Sequence, residues 1–170
     1  MEFIEVCKQC TESICCSKPF FAFVTETERI KILDFLKSEN INIAPNKVFL
    51  YNQENNSYVI PKEQNGKCIF LQKDKTCAIH SVKPLDCQLW PLTFEFNPQS
   101  NEITLILGEC SAVKLLKVQK KLKQWLNQQK ELLLKNLNSY TRIELIAYSN
   151  LPDISQYQIL HQKILVPNYS

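Results

Sequence analysis

Glycine is almost absent from this sequence, which has only Gly66 and Gly108 among its 170 residues. Nucleotide-binding loops need several glycines close together, because their backbone must approach the phosphate groups closely. The scarcity of glycine therefore excludes a glycine-rich loop for a nucleotide or for S-adenosylmethionine.

Long apolar runs and a strong excess of charge are also missing. No run approaches the roughly 18 apolar residues of a membrane-spanning helix, and the first residues lack the basic start and apolar segment of a signal peptide. The formal net charge is +3, which does not favour a nucleic-acid partner. We therefore expect a cytoplasmic protein without a membrane or nucleic-acid partner, while a protein partner stays open.

Cysteine, by contrast, is abundant. The chain has eight cysteines: Cys7, Cys10, Cys15, Cys16, Cys68, Cys77, Cys87 and Cys110. In a reducing cytoplasm, clustered cysteines bind metals or carry out redox chemistry more often than they form disulfides. Unrelated buried cysteines that pack as small apolar side chains are the simplest alternative, but four within ten residues argue against it. All eight are therefore candidate metal ligands.

Two kinds of metal centre use cysteine ligands alone. Zinc takes four thiolates in a tetrahedron, and iron–sulfur clusters are also held by four cysteines. Eight thiols suffice for two mononuclear sites, two clusters or one multinuclear site, and sulfur ligation does not separate zinc from iron. His80 follows Cys77 at metal-ligand spacing, although the thiols already suffice. No catalytic residues can be recognised, so the sequence leans against an enzyme.

Length and composition suit one soluble domain. The chain is 45% apolar and 22% charged, both ordinary for globular proteins. We expect an α+β fold, in which one small irregular domain places short β-hairpins around a cysteine-ligated metal centre. Residues 1–110 would form the metal-binding region, and residues 111–170 a helical C-terminal extension packed on it.

Local patterns predict the elements that carry the cysteines. Thr25 and Glu28 have the spacing of a capping box, which predicts a helix that ends near Asn40. Its apolar face is expected to hold Ile30, Leu33 and Leu36. Lys83-Pro84 should begin one helical turn that presents Cys87. Two hairpins are predicted, one pairing residues 47–51 with 57–60 and the other pairing 93–97 with 102–107. Residues 68–72 are predicted to form a strand and residues 73–76 a turn. A long helix is predicted for residues 111–140, followed by a short helix from Arg142 and another that ends before Pro167.

Both glycines stand two residues before a cysteine, Gly66 before Cys68 and Gly108 before Cys110. Glycine adopts positive φ and lets the backbone approach a bound group. We therefore expect backbone N–H groups at these points to face ligand sulfurs. Two turns at strand ends would give the same pattern, and the two interpretations are compatible.

The segment from Cys7 to Cys110 resembles the CxxCxxCC family of zinc- or iron-chelating domains, also known as cysteine cluster proteins of the YkgJ type. That family has an N-terminal C-x2-C-x2-C-C run, a central G-x-C block and a later cysteine. Here Cys10 and Cys15 are separated by four residues where the family has two. The central block is matched by Gly66, Cys68, Phe70, Leu71, Cys77, Ile79, Pro84, Cys87 and Pro91, and the later cysteine by Cys110.

The resemblance implies that the eight cysteines bind zinc or iron, including an iron–sulfur cluster as one form, and it implies little else. Related cysteine modules occur in flagellin lysine methylases, so a redox or cluster-dependent enzyme or accessory protein is the alternative function. The chain lacks the C-x3-C-x2-C run that is typical of radical enzymes.

Overall fold

The computed structural model describes residue 16 and residues 21–53, 57–108, 110–149 and 157–165. These residues form helices and two small antiparallel sheets, which confirms the α+β class. The chain separates into two compact units, Met1–Gln88 and Leu89–Ser170. The division expected between residues 110 and 111 stays a prediction. Within the described residues, every helix is too short or too polar to cross a membrane.

The first unit contains a three-stranded sheet in the order β1-β3-β2. Its strands are β1 (Ala22–Val24), β2 (Leu50–Asn52) and β3 (Ser57–Ile60). In the central strand, Tyr58 lies opposite both Val24 and Tyr51. The pairing of β2 with β3 confirms the first predicted hairpin, whereas β1 was not predicted.

Helix α1 (Glu26–Ser38) begins with the predicted capping box between Thr25 and Glu28. It ends as predicted at Asn40, which has a φ of 55°. The N–H group of the next residue, Ile41, donates to the Leu36 carbonyl oxygen at 2.9 Å, as in a Schellman motif. The predicted apolar face was partly wrong, because Ile30 is exposed and the buried side chains are Ile32 and Leu36.

The apolar core of the first unit lies between α1, the sheet and the cysteine-bearing turns. A short helix α2 (Pro45–Val48) leads into β2 and contributes Val48. The buried cluster consists of Val24, Ile32, Leu36, Val48, Phe49, Ile60, Phe70 and Ile79, and Cys68 and Cys77 pack against it. A 3-10 helix (His80–Val82) and helix α3 (Leu85–Leu89) follow in sequence. Pro84 directly precedes α3, which confirms the predicted helical turn around Cys87.

The second unit contains a sheet in the order β4-β5-β6. Strands β4 (Leu92–Asn97) and β5 (Glu102–Gly108) form the second predicted hairpin, with Phe94 opposite Leu105. The helix predicted before Pro167 was wrong, because Tyr157–Leu165 forms strand β6 and pairs with β5. This pairing satisfies backbone groups on the second side of β5, which a helix at the same place would leave without ladder partners.

The described part of the second unit also contains the helices α4 (Ser111–Val118), α5 (Leu122–Leu137) and α6 (Arg142–Ser149). The single long helix predicted over residues 111–140 was wrong, because Lys120 has a φ of 55° and interrupts it. Helix α6 confirms the predicted start at Arg142 and packs on β4. There the Phe94 and Tyr148 rings stack with centroids 4.1 Å apart.

Candidate metal centre

The described cysteines fall into both units. Cys16, Cys68, Cys77 and Cys87 lie in the first unit, and Cys110 is a buried residue that immediately precedes α4 in the second. Cys68, Cys77 and Cys87 are free thiols. The predicted ligands Cys7, Cys10 and Cys15 lie outside the described residues.

Cys68 and Cys77 end two consecutive turns that repeat one backbone structure. Each cysteine closes an isolated antiparallel bridge, in which Lys62 lies opposite Cys68 and Leu71 opposite Cys77. Two backbone hydrogen bonds of the first turn recur nine positions later in the second turn. The Glu63 N–H group donates to Lys67 O at 2.7 Å, and its equivalent, the Gln72 N–H group, donates to Thr76 O at 2.9 Å. The Gly66 N–H group donates to Glu63 O at 2.8 Å, and its equivalent, the Lys75 N–H group, donates to Gln72 O at 3.0 Å. The strand predicted over residues 68–72 was therefore wrong, whereas the turn at 73–76 is confirmed.

Side chains stabilise the two turns at equivalent positions. Asn65 Oδ1 accepts from the Lys67 N–H group at 2.8 Å, and Asp74 Oδ1 accepts from the Thr76 N–H group at 3.0 Å. Asn and Asp form such bonds to the residue two positions ahead, which favours a turn. The repeat is visible in the sequence as two cysteines nine residues apart, each three residues after Asn or Asp. Sequence reasoning missed it because Lys75 takes the place that Gly66 has in the first turn.

The glycines do not direct N–H groups at sulfur, contrary to expectation. Gly66 has a φ of 77°, and its N–H group donates to the Glu63 carbonyl oxygen inside the turn. The N–H group of Gly108 donates to the Pro91 carbonyl oxygen at 2.8 Å. For Gly66 the alternative of a plain turn was right, since positive φ is easiest for glycine.

The N–H groups that do face sulfur come from residues after the cysteines. Burial raises the pKa of the Cys68 and Cys77 thiols, and hydrogen bonds from the Phe70 and Ile79 N–H groups oppose part of this rise. The Leu71 N–H group donates to the Cys68 carbonyl oxygen at 3.0 Å. Phe70 and Ile79 occupy the same position in the two turns, and each side chain is 1% exposed. Their burial in the core therefore holds one N–H donor beside each sulfur.

Cys87 reaches the same region from α3. This helix has five residues, and its backbone begins with the Gln88 N–H group donating to the Pro84 carbonyl oxygen at 3.0 Å. The side-chain amide of Gln88 also donates to the Lys83 carbonyl oxygen at 2.8 Å. The Cys16 backbone is tied to the first turn, because its carbonyl oxygen accepts from the Cys68 N–H group at 2.6 Å.

Neighbouring thiols influence the protonation of Cys68, Cys77 and Cys87. Burial is the largest cause that raises the pKa of Cys68, of Cys77 (to about 11) and, most strongly, of Cys87. Repulsion adds to it: Cys16 raises the pKa of Cys68, and Cys16 and Cys68 together raise that of Cys77. Asp86, followed by the other three thiols, raises the pKa of Cys87. Ionisation of Cys68, Cys77 or Cys87 is therefore opposed by burial and by the charge of neighbouring thiolates.

This set of donors suits a thiophilic cation. A bound Zn²⁺ or iron ion deprotonates a coordinating thiol and compensates the repulsion among neighbouring thiolates. Among the described residues, however, no group of three or more Cys, His, Asp or Glu side chains is arranged to hold a metal ion. His80 is exposed at the start of the 3-10 helix. The chemistry of the thiol donors therefore fits a metal ion, but the described side chains are not arranged as a metal-binding group.

Comparison with known proteins gives two matches of different kinds. A family model described as "CxxCxxCC: Putative zinc- or iron-chelating domain" matches residues 6–129. An uncharacterized protein of Methanocaldococcus jannaschii is 35% identical over 91 residues, which cover 52% of this chain and 45% of that protein. This chain therefore aligns with less than half the length of that relative. No solved structure matches the chain.

Proposed function

Because this chain belongs to the CxxCxxCC family of zinc- or iron-chelating domains, we propose that its first unit binds one zinc or iron ion. The proposed ligands are Cys16, Cys68, Cys77 and Cys87. The observation that carries the proposal is the placement of Cys68 and Cys77 at equivalent bridges that close two consecutive turns, with the Cys16 carbonyl oxygen bonded to the Cys68 N–H group. The raised pKa values of Cys68, Cys77 and Cys87, to which burial contributes most and neighbouring thiols add, support it. Cys7, Cys10, Cys15 and Cys110 stay predicted metal ligands.

The metal would act first as part of the fold. Two of the ligands lie on turns that pack against the apolar core, and a third lies on a helix of five residues. A site of this kind rarely exists in the unfolded chain, so the free energy of metal binding becomes free energy of folding. Zinc would supply a redox-inert link between these segments, and iron would add an electron-transfer couple. The chain's own contribution is to hold the sulfurs together and to donate N–H groups to two of them.

Single cysteine substitutions test this assignment. Cys68→Ser, Cys77→Ser and Cys87→Ser should each remove most of the bound metal and lower the thermal midpoint, because each removes one of four ligands. The measurement is metal content per chain after purification without oxygen, together with the absorbance spectrum and an assay for sulfide. Cys110→Ser is the matched comparison, since this buried thiol lies in the second unit and is not one of the four proposed ligands of this ion. It should leave that ion bound.

The outcomes separate the metals and the alternative function. Colourless protein with zinc supports a structural centre, and iron without sulfide supports a mononuclear iron site. Iron together with sulfide would point instead to a cluster and to the redox or cluster-dependent alternative. Unchanged metal content in the Cys87→Ser variant would contradict the proposed ligand set.

A further inference from the structure

Two carboxylates lie at the junction between α1 and the helix that carries Cys87. We infer that Glu28 and Asp86 are positioning residues that hold Cys87 at the metal centre. The inference rests on the proposed function, since it concerns one of the proposed ligands. Its support comes from hydrogen bonds between segments that are about 60 residues apart in sequence.

Glu28 uses its two carboxylate oxygens for different helices. Oε2 accepts from the Thr25 N–H group at 3.0 Å and from its hydroxyl group at 3.1 Å, which completes the cap of α1. Oε1 accepts from the Leu85 N–H group at 2.7 Å. Leu85 is the first residue of α3, and N–H groups in the first turn of a helix have no partner within the helix. One side chain therefore caps α1 and α3 at once.

Asp86 makes the reciprocal connection. Its Oδ2 accepts from the Phe23 N–H group in β1 at 2.9 Å. The segment formed by β1 and the start of α1 thus accepts one bond from α3 through Glu28 and donates one to it through Phe23. Two separate bonds between the same two segments restrict rotation of α3 as well as its distance from α1.

The orientation of α3 depends on the bonds from Leu85 to Glu28 and from Phe23 to Asp86, because α3 is short and the two N–H donors belong to buried residues. A helix of five residues is too short to be stable by itself. Leu85 is 2% exposed and Phe23 is 3% exposed, so water cannot easily replace a lost acceptor. Cys87 follows directly after Leu85 and Asp86, and its position among the other thiols is fixed by how this short helix is held. Partners that orient a metal ligand in this way commonly change metal affinity when they are removed.

Cobalt(II) binding to the full, metal-free chain tests the inference. Cobalt takes tetrahedral thiolate sites, and its ligand-field absorption reports the number and geometry of its ligands. Glu28→Ala should weaken cobalt binding by roughly 10- to 100-fold and alter this absorption. Glu28→Gln keeps a carbonyl oxygen that can accept from Leu85, and should recover most of the lost affinity. Asp86→Ala should weaken binding in the same direction, and Asp86→Asn less so.

Thr25→Ala is the matched control. It removes the hydroxyl group that accepts from the Glu28 N–H group (3.2 Å) and donates to Glu28 Oε2 (3.1 Å), and so weakens the α1 cap. It keeps the Thr25 N–H bond to Oε2 and the Leu85 N–H bond to Oε1. Its cobalt affinity and absorption should match the wild type, although its free energy of unfolding falls.

Equal cobalt affinity and absorption in Glu28→Ala and Thr25→Ala would overturn the inference, because Glu28 would then act only on α1. If Glu28→Ala does not fold, Asp86→Ala decides, and wild-type cobalt binding in that variant would overturn it as well. Wild-type protein that binds no cobalt would overturn the proposed function itself and this inference with it. If the wild type binds cobalt, and Glu28→Ala and Asp86→Ala bind it with the same affinity, only the positioning role would be overturned.

Discussion

At the scale of single residues, the main finding is that the thiols of the first unit are hard to ionise without a cation. Burial first, and then neighbouring thiols and Asp86, raise the pKa values of Cys68, Cys77 and Cys87. At neutral pH these thiols are protonated in the metal-free fold, and binding of a metal must release their protons. Metal binding should therefore tighten as pH rises.

The stability of the metal-free protein should consequently fall as the pH rises above about 8.5, whereas the stability of the metal-loaded protein should rise with pH below that value. In the metal-free fold the thiol pKa values lie above the unfolded value of about 8.5. The contribution of these protonated thiols to the free energy of unfolding is complete below about pH 8.5, the unfolded pKa. It is lost as the pH rises toward about 11, the pKa of Cys77. In the metal-loaded fold the ligands stay deprotonated, so stability should rise with pH by up to about 1.4 kcal/mol per pH unit for each thiolate below pH 8.5.

Urea unfolding at about pH 6, 7 and 8 measures this difference. At each pH, the free energy of unfolding of the metal-free protein is subtracted from that of the metal-loaded protein. This difference removes the contributions of other titrating groups. A difference that stays constant over this range would show that the thiols do not lose protons on binding the metal.

At the scale of single elements, the break between α4 and α5 shows how a left-handed residue ends a helix. The Lys121 N–H group donates to the Leu116 carbonyl oxygen at 2.9 Å, and the Lys120 N–H group donates to the Lys117 carbonyl oxygen at 3.0 Å. This is a Schellman motif with lysine at the position where glycine is usual. A side chain with a Cβ is less stable in that conformation than glycine.

Lys120→Gly should therefore stabilise the protein by about 0.5–1 kcal/mol. Lys123→Gly, in the first turn of α5, should instead destabilise it by up to about 1 kcal/mol, because glycine is a poor helix former. Both variants remove one exposed lysine, so the comparison cancels the change in charge. The free energy of unfolding in urea measures the difference, and destabilisation by Lys120→Gly would contradict the left-handed assignment.

Elements with strong local signals were predictable from the sequence. The capping box at Thr25, the stop at Asn40, both hairpins and the turn at Pro84 each depend on residues close together in the chain. The break at Lys120 was missed because lysine carries no signal for positive φ. Strand β6 was missed because its strand conformation depends on pairing with the distant β5, which no local pattern reports.

The sequence predicted candidate ligands, which stay predictions, but it did not predict the contacts that support them. Clustered cysteines in the sequence indicated the donors, and family membership agrees with metal binding. The sulfur-facing N–H groups of Phe70 and Ile79, and the Glu28 bond to Leu85, were not foreseen. Each of these depends on tertiary packing, which brings together residues whose spacing in sequence has no meaning by itself.

At the scale of the whole molecule, the chain combines two compact units of different character. In the described part of the first unit, four candidate thiols lie on two repeated turns, on a short helix and at Cys16. The second is built on the β4-β5-β6 sheet and helices α4, α5 and α6, and contributes Cys110. The central claim is that the first unit supplies all four ligands of one zinc or iron ion.

X-ray absorption at the metal edge of the purified protein tests that claim most directly, because it counts the atoms bound to the metal. For zinc, the account predicts four sulfur neighbours at about 2.3 Å, and this shell should survive Cys110→Ser and be lost in Cys87→Ser. A shell dominated by nitrogen or oxygen, or a four-sulfur shell that persists in Cys87→Ser, would contradict it.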